Sequence, residues 1–510
     1  MGLASLLIIL PRSPLPWFDE IFMESTALSM VRGHGPVPTV LGAFSGIKSL
    51  SLFFGPVALA VGAADVRLFG ISIIAWRSIG WLGVVAVALL ASWLTRNLAG
   101  AYAGAVTAIL VAFSQGTGRA VSGRLDSLAV ALEVASLACA VAGLPCESSS
   151  RNRTRLYTML SGVFCGLAIL STPRAFPFPV SLFLAFGAEA LCNKEQRKKI
   201  LSQMLQVAAV IGALILAWTT FEGTNPLGWL RFILSVSHGD PGNVSPLLGG
   251  HWHLFDSPLL EQANGLGFLL VLLMLLISAT AARRTANATD SATPGLRFAL
   301  VAGLACYGVT FVLISRFWDY DIFLVPLLLP AAIALTGNIW RRPGRRSYRF
   351  VALIGAWVLW ATVCLFVRGG KLLVSAASYQ SSDPSPMEKF VAQHVPPGSI
   401  VFGPLHDYFY AVENAGSRFL YPRPWIAPGF SREVANERPP WGEMLRANRV
   451  YVIWPAGSRV PEELTPNCLE LVGRFEPQEN HGRWSRRWSA IGQDRGYPPT
   501  LIFRVIRAPQ

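Results

Sequence analysis

The sequence predicts an all-α polytopic membrane domain with about 11 transmembrane helices, joined to a C-terminal α/β domain outside the cytoplasm. Three observations lead to this fold class. Of the 510 residues, 52% are hydrophobic and 14% are charged, and the mean hydropathy is +0.45. Apolar runs recur along residues 1–367, and most Lys and Arg residues fall in alternate loops. This composition excludes a soluble protein, and the loop pattern accounts for the net charge of +14 without a nucleic-acid partner.

The apolar runs predict the transmembrane helices, because a helix needs about 20 residues to cross a bilayer. The first run, Met1 to Leu10, is about half that length. We expect it to be the end of a helix that is cut short by a start codon placed too late. The other predicted spans are 77–95, 99–116, 127–144, 158–172, 179–192, 203–220, 264–283, 297–315, 322–337 and 350–367.

The loop charges orient these spans through the positive-inside rule. One set of loops is rich in arginine and lysine, as at residues 151–155 and 341–349, and is predicted to be cytoplasmic. The opposite set is poorer in basic residues and holds the acids Asp19, Glu20 and Asp126. An odd number of spans then places the chain after the last span on the outer side.

Residues 368–510 are predicted to form the outer domain, since they are too polar to cross a membrane and about 140 residues suffice for one core. Strands are expected at Ser399–Gly403, Arg449–Trp454 and Leu501–Val505, where β-branched and aromatic residues cluster. Residues 1–367 would form the transmembrane domain.

A long outer loop, residues 12–76, separates the first two predicted spans. Within it, Glu20–Arg32 predicts an amphipathic helix that ends at Gly33. Residues 51–64 are apolar, but counting them as a span would put every later basic loop outside. We therefore expect an interfacial helix lying on the membrane there.

The predicted outer loops also contain carboxylates and arginines of the kinds that a transfer reaction requires. Carboxylates such as Asp19, Glu20 and Asp126 can accept a proton from an attacking hydroxyl, and arginine binds phosphate oxygens in a bidentate manner. A site at the water–lipid boundary suits a substrate with a lipid tail and a polar head, which indicates a transferase with a lipid-phosphate-linked donor. The cations and aromatic residues near the outer helix ends are Arg77, Arg124, Arg174, Arg316, Trp17, Phe176, Trp318 and Tyr320.

Each of these residues also has a structural interpretation. The arginines could anchor helix ends at the interface, and Asp126 could cap the helix that starts at Ser127. Asp19 and Glu20 could be solvated loop acids. His251 and His253 have a spacing that suits a metal, although loop histidines are commonly solvated.

Taken together, these features resemble the GT-C-fold glycosyltransferases that use polyprenyl-phosphate sugars, specifically the bacterial group similar to aminoarabinose transferase and protein O-mannosyltransferase. The resemblance covers residues 1–130 by motif and the rest by layout. The matching residues are the Asp19-Glu20 pair, Gly33 or Gly35, Leu68-Phe69-Gly70 with Trp76-Arg77, Asp126, and Arg316 and Tyr320 before Pro326–Pro330.

The sequence departs from the family pattern at two places. The family has Lys-Pro-Pro before the interfacial helix, whereas Lys48 is followed here by Ser49-Leu50. It also has Thr-Lys-Gly after the fifth span, where Arg174 stands in place of the lysine. These differences leave the donor's sugar open.

The resemblance implies an inverting sugar transfer. Asp19 would be the general base, Glu20 a supporting acid, and Asp126 would orient the acceptor. The implied location is the bacterial plasma membrane, with the active site and the outer domain on the periplasmic or extracellular side. The acceptor would be an envelope lipid, glycan or protein, and a divalent metal is possible. The donor phosphate would be held by Arg77, Arg124, Arg174, Arg316, Lys48 and Tyr320.

Three other functions stay open. One is an oligosaccharide polymerase or ligase with a diphosphate-linked donor. Another is a lipid or solute transporter, which the nearly uncharged span centres and the lack of a detectable repeat disfavour. The third is a non-catalytic relative whose outer domain is a binding module.

Overall fold

The helices and strands follow from a computed structural model of the chain. The residues that it describes are 18–41, 55–114, 125–145, 150–231, 294–313, 321–340, 348–377, 383–404, 408–420, 444–446, 449–458, 464, 466–477 and 497–507.

The described part is mostly helical. The helices are α1 (Phe18–Val31), α2 (Pro56–Phe69), α3 (Ile73–Ala99), α4 (Ala101–Phe113), α5 (Asp126–Gly143), α6 (Arg151–Ile169), α7 (Pro177–Cys192), α8 (Arg197–Phe221), α9 (Pro294–Leu313), α10 (Asp321–Trp340), α11 (Tyr348–Ala377), α12 (Ser385–His394) and α13 (Phe409–Asn414).

Local chemistry sets several helix ends. The Ser72 hydroxyl accepts the Ala75 N–H and caps the start of α3. Gly100 ends α3 with φ of 95°, a left-handed conformation that favours glycine, and α4 begins at once. Pro177 stands in the first turn of α7, where its missing N–H costs no hydrogen bond.

In the described residues, five helical segments are long and apolar enough to cross a membrane. They are Ile73–Ala99, Asp126–Gly143, Pro173–Cys192, Arg197–Phe221 and Pro294–Val312. Each predicted span within the described residues coincides with a helix. The runs at 1–10 and 264–283 lie outside them, so the total number of spans stays a prediction.

Helix α1 is enclosed along residues 20–29. No residue from Glu20 to Ser29 is more than 5% exposed. Ile21 and Phe22 belong to one apolar cluster with residues of α12 and α13, whereas Met23 belongs to another with residues of α2 and α3. The sequence correctly predicted a helix here, but the amphipathic character was wrong, because protein packs against both faces.

The described residues after Asp383 build a mixed five-stranded sheet, with order β2-β1-β3-β5-β4. Its strands are β1 (Ile400–Phe402), β2 (Arg418–Leu420), β3 (Val450–Pro455), β4 (Leu469–Phe475) and β5 (Thr500–Val505). Strand β1 pairs in parallel with β2 and β3, and β5 pairs antiparallel with β3 and β4. We call this sheet, with α12 and α13, the C-terminal unit.

Three of these strands, β1, β3 and β5, were predicted from the sequence to within a residue or two. Strands β2 and β4 were missed. Strand β2 has only three residues, too few for an alternating pattern. A helix was expected at 51–64, and one is found at Pro56–Phe69, where Pro56 fits the first turn. That this helix lies on the membrane stays a prediction.

Candidate functional site

The acidic end of α1 is joined to the helix bundle by a buried ion pair. Asp19 lies in the first turn of α1, directly before Glu20. The Arg77 guanidinium of α3 donates two hydrogen bonds to Glu20, Nε to Oε1 at 2.8 Å and Nη2 to Oε2 at 3.0 Å. Both side chains are fully buried. The bidentate geometry compensates for the loss of water around the two charges, so the pair fixes α1 against α3.

A second acid–arginine pair stands at the start of α5. Asp126 lies in the first helical turn, and Arg174 lies in the short 3₁₀ helix Pro173–Ala175 that precedes α7. Arg174 Nη1 is 3.4 Å from Asp126 Oδ2. The Arg174 side chain is 27% exposed and that of Asp126 12% exposed. Unlike the first pair, this one can be reached by water or by a ligand.

Close helix packing places the two pairs at the same end of the bundle. The Ser127 hydroxyl donates to the Gly80 carbonyl oxygen at 2.9 Å, one turn along α3 from Arg77. A Cβ at Gly83 would lie 2.4 Å from the Ser127 Oγ. Leu125, next to Asp126, packs in the same apolar cluster as Met23 of α1.

The start of α2 joins this end of the bundle through a second close approach. Gly55 has φ of 82°, and a Cβ there would lie 2.3 Å from the Leu170 carbonyl oxygen. The same oxygen accepts the Val57 N–H at 3.0 Å. Helix α2 is thereby held beside the turn that carries Arg174.

Glu24 is a buried acid to which the sequence analysis gave no role. It lies one turn after Glu20 and is fully buried. The Tyr410 hydroxyl of α13 donates to its Oε2, and the Ser72 N–H donates to its Oε1 at 3.3 Å. Burial raises the pKa of Glu24 to about 8. The spacing Glu20-x-x-x-Glu24 signals two acids on one helix face, but the sequence gives no sign of Tyr410 as the partner.

Several predicted site residues cannot be placed. Only the backbone of Asp19 is described. The remaining ones, which lie outside the described residues, are Lys48, Arg124, Arg316, Tyr320, His251 and His253. Within the described part of the chain, no group of three His, Cys, Asp or Glu side chains is arranged to hold a metal ion. Their roles stay predictions.

Two solved structures match this architecture over the whole chain. They are ArnT from Cupriavidus metallidurans bound to undecaprenyl phosphate (TM-score 0.63, 13% identity) and the same protein in the apo state (TM-score 0.59, 15% identity). Each match covers 100% of this chain and 98% of the other. The fold is GT-C.

A more distant GT-C structure agrees over most of the chain. The apo oligosaccharyltransferase from Archaeoglobus fulgidus matches with a TM-score of 0.50 and 13% identity, covering 89% of this chain and 69% of that one. No protein-family model matches the sequence, and no curated protein matches it. The resemblance noted in the sequence is therefore supported by the three-dimensional fold, at identities too low to transfer an activity.

Proposed function

We propose that this protein is a membrane glycosyltransferase, which moves a sugar from a polyprenyl-phosphate donor to an envelope lipid, glycan or protein. The observation that carries the proposal is that two acid–arginine pairs lie at one end of a GT-C bundle, and that the Glu20 of one pair directly follows Asp19. The ArnT structure of the same fold contains undecaprenyl phosphate, which makes a polyprenyl phosphate the natural donor class to test.

In the proposed reaction, Asp19 removes the proton from the acceptor hydroxyl. The hydroxyl oxygen forms a bond to the anomeric carbon while the bond from that carbon to the phosphate oxygen breaks. Polyprenyl phosphate leaves with the electron pair, and the anomeric configuration inverts. Glu20 supports the position of Asp19, and Asp126 orients the acceptor.

The two described arginines are not equally suited to the donor phosphate. Arg174 is partly exposed and makes a longer contact, at 3.4 Å, so phosphate oxygens can compete with Asp126 for its guanidinium. Arg77 is fully buried and already gives two hydrogen bonds to Glu20. We therefore propose Arg174 as the principal phosphate contact among the two, with Arg77 acting through Glu20. Arg124, Arg316, Lys48 and Tyr320 stay proposed donor contacts.

The proposed location is the bacterial plasma membrane, with the site facing the periplasm or the cell exterior. The domain division into residues 1–367 and 368–510 is part of the same proposal. Its support is that α1 and the C-terminal unit share one apolar cluster, so Asp19 and the unit lie on the same side of the bilayer. The predicted charge distribution makes that side the outer one.

The test is sugar transfer by the purified full-length protein in sealed vesicles. We expect the protein to transfer the sugar from a polyprenyl monophosphate donor and not from a diphosphate-linked donor. Asp19→Asn should lower kcat by about 10²–10⁴-fold, because general-base catalysis contributes that much. Glu195→Gln removes an exposed carboxylate from the predicted cytoplasmic end and should leave kcat unchanged.

Two results would reject the proposal. One is full activity of Asp19→Asn with the protein correctly folded. The other is donor use only from the cytoplasmic side of the vesicles. Preference for a diphosphate-linked donor would instead indicate a polymerase or ligase.

A further inference from the structure

Helix α1 is held on one face by two different parts of the chain. Glu20 bonds to Arg77 of the bundle, and Glu24 bonds to Tyr410 of the C-terminal unit. Residues four apart lie above each other on a helix surface, so the two carboxylates are neighbours. The first contact begins one residue after Asp19, and the second lies one turn further along.

A second polar contact joins α1 to the same short helix of the C-terminal unit. Arg32 Nη2, just past the end of α1, lies 3.4 Å from Glu413 Oε2. Glu413 also accepts the Phe419 N–H at 3.0 Å, which ties α13 to strand β2. Because the Arg32 side chain is 45% exposed, this outer contact contributes little by itself. The buried Glu24–Tyr410 bond is the stronger constraint.

Apolar packing supports the same arrangement. Ile21 and Phe22 share a cluster with Phe409, Tyr410 and Phe419, and all five residues are at most 1% exposed. The hydrogen bond from Tyr410 therefore lies in a dry environment, where loss of one partner leaves a buried polar group unpaired. Such a bond fixes the rotation of α1 as well as its distance.

We propose that Glu24 and Tyr410 are positioning residues, through which the C-terminal unit fixes the helix that carries Asp19 and so sets the rate of transfer. This inference rests on the proposed role of Asp19 as the base. It assigns the C-terminal unit a part in the chemical step in addition to acceptor binding. A base that is misplaced by a fraction of an ångström loses rate while substrate binding is retained.

The ionisation of Glu24 gives this arrangement a pH dependence. Burial raises the pKa of Glu24 from 4.5 to about 8, the hydrogen bonds from Tyr410 and Ser72 oppose that rise, and the charges of Glu20 and Asp65 add to it. The nearby cation, Arg77, is already paired with Glu20. The folded state thus binds a proton that the unfolded state releases. The resulting stabilisation is complete below pH 4.5 and is lost as the pH rises through about 8.

The experiment compares two buried tyrosines in the full-length protein in lipid nanodiscs. Tyr410→Phe removes the hydroxyl that reaches α1. Tyr408→Phe removes a hydroxyl that bonds to Thr500 Oγ1 at 2.9 Å inside the C-terminal unit, and so is the matched control. The readouts are kcat and KM for transfer from a polyprenyl-phosphate sugar, and amide hydrogen exchange of residues 18–31.

We expect Tyr410→Phe to lower kcat by about tenfold with an unchanged donor KM, and to speed exchange in α1. Tyr408→Phe should change neither readout by more than about twofold, because its hydrogen bond does not involve α1. Glu24→Gln gives a neutral side chain of the same shape. Its amide donates to the Tyr410 oxygen, in the reverse direction to the bond that the Glu24 carboxylate accepts, while its oxygen still accepts from Ser72. In the wild type, ionisation of Glu24 above about pH 8 should lower kcat, whereas the kcat of Glu24→Gln should not fall over that range.

The inference is overturned if the two tyrosine variants behave alike in both kcat and α1 exchange. If the wild-type protein transfers no sugar, the proposed function fails, and exchange alone decides the positioning role. Faster α1 exchange in Tyr410→Phe than in Tyr408→Phe would then support it, and equal exchange would reject it.

Discussion

The two acid–arginine pairs at one end of the bundle are each made of a carboxylate and a guanidinium, and they differ in their surroundings. Glu20 and Arg77 are fully buried and bond through two short contacts. Asp126 and Arg174 are partly exposed and meet at 3.4 Å. A fully buried pair cannot be reached by a ligand, whereas a partly exposed pair with a longer contact can exchange its partner. The comparison separates residues that stabilise the structure of the site from residues that can bind a ligand there.

The largest effect on stability should come from breaking the buried pair. Arg77→Met leaves the Glu20 carboxylate buried without its cation, and we expect the free energy of unfolding to fall by about 3–5 kcal/mol. The measurement is denaturant-induced unfolding of the purified protein in micelles. The double variant Glu20→Gln, Arg77→Met removes both charges and should recover much of the loss. If Arg77→Met unfolds like the wild type but raises the donor KM, Arg77 binds phosphate and the comparison fails.

A smaller effect is expected where α3 and α5 touch. Gly83→Ala puts a Cβ 2.4 Å from the Ser127 Oγ, so the helices must shift, and stability should fall by about 1–3 kcal/mol. Unfolding in the same micelles measures this. The matched control is Gly187→Ala in α7, where no atom lies within 4 Å of the new Cβ. That variant should gain roughly 0.5–1 kcal/mol, because alanine favours the helix. Equal outcomes for both variants would contradict the close contact between α3 and α5.

The smallest effect on stability should come from the exposed pair. Arg174→Gln should change the free energy of unfolding by about 0–1 kcal/mol, since exposed pairs contribute little. It should raise the KM for a polyprenyl-phosphate donor by about tenfold, because a charged phosphate contact is lost. The control is Arg297→Gln in α9. Arg297 pairs at 2.5 Å with Glu189, near the other end of α7, so its loss should not affect the donor KM. An unchanged KM in Arg174→Gln would remove Arg174 from the phosphate site.

How far the sequence alone predicts this molecule depends on the range of the interactions concerned. Apolar runs correctly predicted helices within the described residues, and clusters of β-branched and aromatic residues correctly predicted strands β1, β3 and β5. Both signals are local and periodic. The position of Asp126 at the start of a helix was also predicted, because Asp126 directly precedes an apolar run.

The contacts that join distant parts of the chain could not be predicted from the sequence. Glu24 and Tyr410 are separated by 386 positions, and no local pattern marks a tyrosine in the C-terminal unit as the partner of an acid in α1. The same reason explains the error about α1. Its second face looked polar enough for water, but the C-terminal unit and α2 cover it.

The enclosure of α1 has a consequence for how the protein is made. The ribosome synthesises α1 early, whereas the residues of α12 and α13 that cover Ile21 and Phe22 follow more than 350 positions later. Until those residues have been translated, the acidic helix lacks its cover. The site is therefore completed late in biogenesis. A nascent chain that stalls earlier would expose an apolar helix whose acids are buried in the folded protein, and the quality-control machinery would meet that exposed helix.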